Sequence, residues 1–178
     1  MICMDLTIHL LRALVYILPA YIANCTPVIV GGGPPLDLGR NFMDGRRIFG
    51  DNKTIRGFLG GLLFGTLTGL LLPALFDMLS MGPISQLDAI ILAFLLSIGA
   101  HVGDLLGSFI KRRLNLKPGA PAPLLDQIGF IVFAIMFAYP FKPILCPTEI
   151  VIAIAITLLV HPVSNIIAYV LRLKDRPW

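Results

Sequence analysis

The sequence predicts an all-α integral membrane protein, and its composition and length lead to that class. Hydrophobic residues make up 57% of the 178 positions and charged residues only 13%, with a mean hydropathy of +0.88. A soluble domain carries about 25% charged residues, roughly twice the share found here. The length accommodates about five spans of roughly 20 residues with short loops. We therefore expect a single membrane domain over residues 1–178 whose chemistry uses helix ends and loops.

Five apolar stretches follow one another along the chain and predict about five transmembrane helices. They cover approximately residues 6–30, 57–76, 87–110, 128–145 and 150–171. Pro140 and Pro143 interrupt the end of the fourth stretch. The first stretch lacks a basic flank and a small-residue cleavage site, so we expect a retained helix rather than a signal peptide.

The placement of basic residues predicts the orientation in the membrane. Most of the 14 lysines and arginines lie in the loops 31–56 and 111–125 and in the C-terminal tail. Cytoplasmic loops carry an excess of Lys and Arg, so both loops are expected to be cytoplasmic. With five spans, the N-terminus then lies outside and the C-terminus in the cytoplasm. The expected location is the cell membrane, with a multi-pass chain and an active site facing the cytoplasm.

Glycines recur at every fourth position in the second and third stretches. They are Gly57, Gly61, Gly65 and Gly69 in one, and Gly99, Gly103 and Gly107 in the other. Each set forms one stripe along which helix backbones can approach closely. The favoured interpretation is ordinary helix packing; the alternative is a close pair of helices that presents a shared site.

Polar side chains share one face at the end of the third stretch. At about 100° per residue, Asp104, Ser108 and Lys111 lie within about 60° of one another, and Arg112 adjoins them. Asp104 precedes Arg112 by about 12 Å along the helix axis. A carboxylate at that depth costs a few kcal/mol unless it is paired or binds a cation. The pattern favours a metal ion beside phosphate-binding groups; a structural ion pair with an arginine is the alternative.

A second carboxylate, Asp126, follows a proline-rich loop at the start of the fourth stretch. It is expected on the same side of the membrane as Asp104. It could serve only as an acidic residue favoured by the helix dipole. Two carboxylates from separate helices also suit magnesium, which takes a few carboxylate oxygens together with waters and substrate phosphates. We therefore expect Asp104 and Asp126 to bind Mg2+. The cysteines, Cys3, Cys25 and Cys146, lack the spacing of a zinc site.

The start of the second stretch has the residue types of an anion site. Lys53, Thr54 and Arg56 precede a helix whose first free N–H groups face the cytoplasm, and Gly57 allows close approach. The alternative is that Lys53 and Arg56 only anchor the helix at the membrane border. Phosphate binding is favoured because the hydroxyl of Thr54 lies between the two cations.

Polar residues within the first and fifth stretches are candidates for lining a cavity. Asn24 precedes Pro27 by three residues, and His161 and Asn165 flank Pro162, which should free a backbone carbonyl. A histidine in such a helix is as often a satisfied structural group as a cavity group.

Taken together, two blocks resemble the membrane-embedded CTP-dependent cytidylyltransferases, the CDP-diacylglycerol synthases and the shorter archaeal CDP-archaeol synthases. The first block runs from Lys53 to Gly61 and is similar to the family's Lys–Thr–x–x–Gly opening of a glycine-rich helix. The second comprises Gly103, Asp104, Ser108, Lys111 and Arg112, followed by Asp126. The larger bacterial members have an Asp–Arg–x–Asp cluster where this chain keeps only Asp126, with Gln127 and Gly129 after it. The short archaeal type is the better match.

The resemblance implies a reaction in which CMP passes from CTP to an isoprenoid diether glycerol phosphate, releasing pyrophosphate. It implies catalytic roles for Asp104, Asp126, Lys111 and Lys53, with magnesium on the two aspartates. It places phosphates at Lys53, Thr54, Arg56, Gly57, Ser108, Lys111 and Arg112, the cytosine near Lys117 and Pro121, and the lipid phosphate and its cavity near Asn24, Pro27, His161 and Asn165. The expected partners are CTP, a membrane lipid phosphate and the bilayer, with no nucleic acid.

Other functions are weighed against this one. A CDP-diacylglycerol synthase would act on an ester lipid, and a CTP- or ATP-dependent polyprenol-type kinase would leave a nucleoside diphosphate. The CDP-alcohol phosphotransferase motif is not met, since Ile48 and Phe49 follow Asp44–Gly45–Arg46–Arg47. A small transporter or channel subunit is disfavoured because the charged groups cluster at one side and no inverted repeat is visible.

Overall fold

The computed structural model describes residues 6–116, 120 and 122–173, and over these residues it is all-helical. The helices are α1 (Leu6–Val30), α2 (Ile55–Leu67), α3 (Leu72–Met78), α4 (Gln86–Arg113), α5 (Pro123–Ala138) and α6 (Pro147–Val170), with a 3-10 turn over Thr68–Leu70. The described part contains no strand, only two isolated bridges, Pro35 with Thr54 and Asn41 with Arg47. The expected all-α class is confirmed.

Three helices, α1, α4 and α6, are long and apolar enough to cross a membrane. The second expected span, 57–76, is instead two helices, Ile55–Leu70 and Leu72–Met78, bent by 48° and acceptable as one broken span. The 3-10 turn Thr68–Leu70, which ends the first of them, and Pro73 at the start of α3 account for the bend, since proline lacks the N–H that would continue the helical hydrogen bonds. By length and composition the described chain thus has three spans, or up to four.

The helix that corresponds to the fourth apolar stretch, expected over 128–145, begins and ends earlier in the sequence than predicted. Helix α5 begins at Pro123 and ends at Ala138. Pro140 lies in the turn that follows and Pro143 in the irregular segment after it, and neither has an N–H for a helical hydrogen bond. Its 16 residues correspond to about 24 Å, less than the roughly 30 Å hydrocarbon core.

Helix α4 lies at the centre and packs against α1, α2 and α5. The glycine stripes are the close contacts, as the packing interpretation expects. A Cβ on Gly61 of α2 would lie 2.5 Å from the Ala23 carbonyl oxygen of α1, and a Cβ on Gly103 would lie 2.4 Å from the Gly129 carbonyl oxygen of α5. The two stripes therefore have different partners rather than facing each other.

The loop between α1 and α2 is organised around Asp37, whose side chain is fully buried. Its carboxylate accepts hydrogen bonds from Arg47 Nη2 at 2.6 Å and from the backbone N–H groups of Gly39, Phe49 and Gly50 at 3.1, 3.0 and 2.9 Å. Burial raises the pKa of Asp37, but the Arg47 and backbone hydrogen bonds outweigh it and hold the pKa well below its ordinary value. Asp37 thereby fixes the loop that leads to Lys53.

Arg113 fastens the same loop to the end of α4. Its guanidinium stacks over the rings of Phe42 and Phe109 at 5.1 and 4.3 Å, and it pairs with Asp44 at 2.7 Å. It also donates to the carbonyls of Arg46 and Arg47, at 3.3 and 2.7 Å. The start of α2 is therefore held beside the end of α4.

Candidate active site

One cavity of about 710 Å³ opens where the end of α1, the start of α2, the last turns of α4, the start of α5 and the last turns of α6 meet. It brings together most of the residues that the sequence predicts for the site. Its lining includes Asn24, Pro27, Lys53, Thr54, Gly57, Asp104, Ser108, Lys111, Arg112, Asp126, His161 and Asn165. Residues far apart in the chain thus face one space.

Two lysine–carboxylate pairs join separate elements inside this cavity. Lys53 Nζ lies 2.5 Å from Asp104 Oδ2, connecting the loop before α2 to α4. Lys111 Nζ lies 2.6 Å from Asp126 Oδ1, connecting α4 to α5. Asp126 Oδ2 also accepts a hydrogen bond from the Ala122 N–H at 3.0 Å. Each carboxylate is 29% exposed, and its charge is balanced by the paired lysine.

The start of α2 contributes its N-terminal end to the cavity. Thr54 is the N-cap, and its hydroxyl accepts the Gly57 N–H at 3.1 Å. A Cβ on Gly57 would lie 3.1 Å from the Pro27 Cβ, so glycine allows α2 to begin directly against α1. The partial positive charge of the helix N-terminus therefore lies beside Lys53.

Arg112 and Ser108 add buried polar groups on α4. Arg112 is only 8% exposed, and its Nε has no hydrogen-bond partner among the described residues. Ser108 is 5% exposed. A buried guanidinium nitrogen that the protein leaves unpaired is costly, and an anionic ligand in the cavity would satisfy it.

The α6 side of the cavity carries His161 and Asn165, one turn apart. Asn165 Nδ2 and His161 Nδ1 are 3.3 Å apart, and the His161 ring lies 6.0 Å from the Phe130 ring. Asn24 faces the same space from α1. These polar groups lie on a different wall of the cavity from the lysines.

Three predicted residues are placed differently or lie outside the description. Arg56 is exposed and does not belong to the cavity lining, because Gly57, the next residue on α2, is the one turned toward α1. Lys117 and Pro121 lie outside the described residues.

Sequence reasoning missed two residues of the site and its support. His101 lines the cavity at 4% exposure and stacks on Phe58, with ring centroids 4.7 Å apart. It precedes Asp104 by three positions, so the same helical periodicity that grouped Asp104 with Ser108 would have found it. No motif or periodicity distinguishes Asp37, whose partners lie two to thirteen residues away in an irregular loop.

A different group of potential metal ligands lies at the far end of the molecule. Ligand atoms of His9, Cys146 and Glu149 lie within 4.8 Å of one another. His9 precedes Asn24 by about 22 Å along α1, so this group is remote from the cavity. The Glu149 carboxylate lies 3.2 Å from His9 Nδ1 and 3.4 Å from Arg12 Nε, and it accepts the Cys146 N–H at 2.9 Å. Its charge is therefore balanced by protein groups that join α1 to α6.

Comparison with known proteins identifies the family of this chain. A family model described as "CarS-like: CDP-archaeol synthase" matches residues 4–178. The chain belongs to the CDP-archaeol synthase family. It is 52% identical over 170 residues to the CDP-archaeol synthase of Pyrococcus furiosus, covering 95% of this chain and 98% of that one. It is 51% identical over 174 residues to that of Methanocaldococcus jannaschii, covering 95% and 97% of the two chains.

A solved structure agrees with these CDP-archaeol synthase relatives. It is described as an intramembrane enzyme for archaeal membrane lipids biosynthesis, and it superposes with a TM-score of 0.76 at 40% identity over 88% of this chain and 94% of that chain. The expected family, the enzyme class and the role in membrane-lipid synthesis are confirmed. The chain is a multi-pass membrane protein of the CDP-archaeol synthase family.

Proposed function

We propose that the cavity catalyses transfer of CMP from CTP to a diether glycerol phosphate bearing isoprenoid chains. An oxygen of the lipid phosphate forms a bond to the α-phosphorus of CTP, the bond from that phosphorus to the β-phosphate oxygen breaks, and pyrophosphate leaves. The observation that carries the proposal is that one cavity of a CDP-archaeol synthase family member holds the pairs Lys53–Asp104 and Lys111–Asp126 together with Arg112, whose Nε has no hydrogen-bond partner in the described part of the chain.

The donor set of the cavity fits magnesium. Asp104 and Asp126 offer hard carboxylate oxygens, which together with waters and phosphate oxygens suit Mg2+. We assign the metal to these two residues rather than to the remote group with His9 and Cys146, whose nitrogen and sulfur donors suit softer ions. Bound there, magnesium would neutralise charge on the triphosphate.

The cations supply the remaining charge stabilisation. If the two carboxylates held magnesium, the ammonium groups of Lys53 and Lys111 would be available to phosphate oxygens, alongside Arg112 and the hydroxyl of Ser108. A phosphate monoester has a second pKa of about 6, so the lipid substrate arrives ionised and needs no strong general base. Positioning and charge neutralisation are then the main catalytic terms. Thr54 and Gly57 contribute the start of α2, Arg56 remains a predicted outer phosphate contact, and Lys117 and Pro121 remain the predicted cytosine contacts.

The lipid is proposed to enter sideways, past the wall formed by Asn24, Pro27, His161 and Asn165. We propose a single domain in which α1, the broken α2–α3 unit, α4, the short α5 and α6 act as five spans. The N-terminus is placed outside and the cavity at the cytoplasmic face of the cell membrane, because the basic residues concentrate at the cavity end.

The reaction is tested with labelled CTP and either a diether or a diacyl glycerol phosphate. Release of pyrophosphate with formation of a CDP-lipid is expected with the diether lipid. Preference for the diacyl lipid would favour the ester-lipid alternative, a nucleoside diphosphate product would favour a kinase, and no turnover with either lipid would contradict the proposed reaction. The relatives named above are synthases rather than kinases or transporters.

The metal assignment is tested by Asp104→Asn, which keeps the shape of the side chain and removes its charge. We expect turnover to fall by about 100-fold or more, as when one charge-stabilising group is removed from an active site. The control is Asp88→Asn on the same helix, because the Asp88 carboxylate pairs with Lys142 at 3.7 Å outside the cavity.

The metal assignment has a second test, in which CTP binding measured by calorimetry should require a divalent ion. Near-wild-type turnover in folded Asp104→Asn would refute the assignment.

A further inference from the structure

Two polar side chains of α4, Ser97 and His101, occupy equivalent positions against α2 but differ in their hydrogen bonding. A Cβ on Gly65 would lie 2.2 Å from Ser97 Oγ, and a Cβ on Gly61 would lie 2.7 Å from His101 Nε2. Ser97 donates to the Ala93 carbonyl at 2.7 Å. His101 Nε2 has no hydrogen-bond partner among the described residues, although the residue is only 4% exposed.

The position of the His101 ring is fixed on both sides. The Phe58 ring stacks on the His101 ring with centroids 4.7 Å apart and an interplanar angle of 33°. On the other side, Gly61 has no side chain, and the His101 ring occupies the space that a Cβ would fill. The ring forms part of the cavity wall. Buried polar atoms without a partner are rare in folded proteins and each requires an explanation, of which a missing ligand is one.

The location along α4 indicates which ligand this is. His101 lies about 4.5 Å deeper along the helix than Asp104, and about 16 Å from Arg112, on the side away from the cationic end of the cavity. Lys53, which pairs with Asp104, and Lys111 and Arg112 surround the space proposed for the triphosphate. The isoprenoid chains of the lipid substrate extend into the bilayer, so the deeper side of the cavity is the side nearer the lipid.

We propose that His101 is a substrate-positioning residue whose Nε2 hydrogen-bonds an oxygen of the lipid phosphate. The tautomer with its proton on Nε2 donates to the phosphate, while the stacked Phe58 and the close Gly61 backbone keep the ring in the required orientation. This role rests on the proposed cytidylyl transfer and adds the residue that places the attacking phosphate.

The test compares His101→Leu with His101→Gln in purified enzyme, using a diether glycerol phosphate in mixed micelles. Leucine should raise the KM for the lipid phosphate by about tenfold to 100-fold, the range for losing a hydrogen bond to a charged group, with the KM for CTP unchanged. Glutamine, whose amide nitrogen reaches the place of Nε2, should restore most of the loss. Ser97→Ala is the control, because it removes a buried hydroxyl of the same interface outside the cavity.

Several results would overturn the inference. An unchanged lipid KM, an equal rise in the KM for CTP, or the same defect in Ser97→Ala would each assign His101 to packing or to the nucleotide. If His101→Leu fails to fold, wild-type enzyme labelled with ¹⁵N-histidine answers the question. The chain has three histidines, so single substitutions of His9 and His161 assign the His101 signal.

The ¹⁵N NMR measurement also tests the role of His101 independently of the proposed reaction. The diether lipid phosphate alone should shift the Nε2 resonance of His101, and CTP with magnesium alone should not. Absence of a shift refutes the role of His101 even where turnover is normal. Absence of pyrophosphate release in wild-type enzyme refutes the reaction, and a shift on lipid binding would still support the contact.

Discussion

Replacing Asp37 by asparagine should open the loop that carries Lys53 while leaving the helices in place. The change preserves the shape of the side chain but replaces one carboxylate oxygen by an NH₂ group. Oδ1 accepts from Gly39 N–H and Arg47 Nη2, and Oδ2 accepts from Phe49 N–H, Gly50 N–H and Arg47 Nε. In either amide orientation the NH₂ group therefore faces at least two donors.

The magnitude follows from those lost acceptors. Two or three hydrogen bonds to a buried, charged acceptor are replaced by donor–donor contacts. Arg47 keeps one hydrogen bond to the amide oxygen and its ion pair with Asp51 at 2.7 Å. We expect the free energy that holds the loop closed to fall by about 2 to 4 kcal/mol, below the full cost of an unpaired buried charge because Asp51 remains. The fraction of open loop should then rise by about 30- to 700-fold.

Hydrogen exchange of the backbone amides of residues 38–50 measures this opening in detergent-solubilised protein. The matched control is Asp51→Asn, which removes the other partner of Arg47. Its carboxylate is 72% exposed, so the expected loss is below about 1 kcal/mol. Exchange in Asp37→Asn that equals wild type, or an equal effect in Asp51→Asn, would refute the view that Asp37 organises the loop.

Two other predictions concern packing and pH. Gly103→Ala should lower the free energy of unfolding by about 1 to 3 kcal/mol, because its Cβ would lie 2.4 Å from the Gly129 carbonyl oxygen. Gly129→Ala should be near neutral, because the nearest contact of its Cβ would be at 3.5 Å. Thermal unfolding of both variants checks this prediction, and equal losses of stability would contradict it. The folded-state pKa of Asp37 lies below its unfolded value, so its stabilisation is fully present above about pH 4 and is lost as the pH falls toward the folded pKa. The difference in unfolding temperature between wild type and Asp37→Asn should therefore shrink below about pH 4; a constant difference down to pH 3 would contradict it.

The sequence by itself determined the membrane class, the cationic character of two loops and the two motifs that place the chain in its family. These features are local. Hydropathy is summed over one helix, and the helical period groups Asp104, Ser108 and Lys111 without reference to any other element. Periodicity could have added His101, but only the structure reports that its Nε2 has no partner in the described protein.

Only the tertiary structure decided which groups from distant segments meet. Lys53 and Asp104 are 51 residues apart, with α2, α3 and most of α4 between them, and Lys111 and Asp126 are 15 residues apart on successive helices. No period relates such positions. The break between α2 and α3 and the early end of α5 depend on how proline interrupts the hydrogen-bond ladder at each place. The role of Asp37 also required the tertiary structure. Its side chain is buried because the loop folds around it, and no pattern along the sequence predicts that burial.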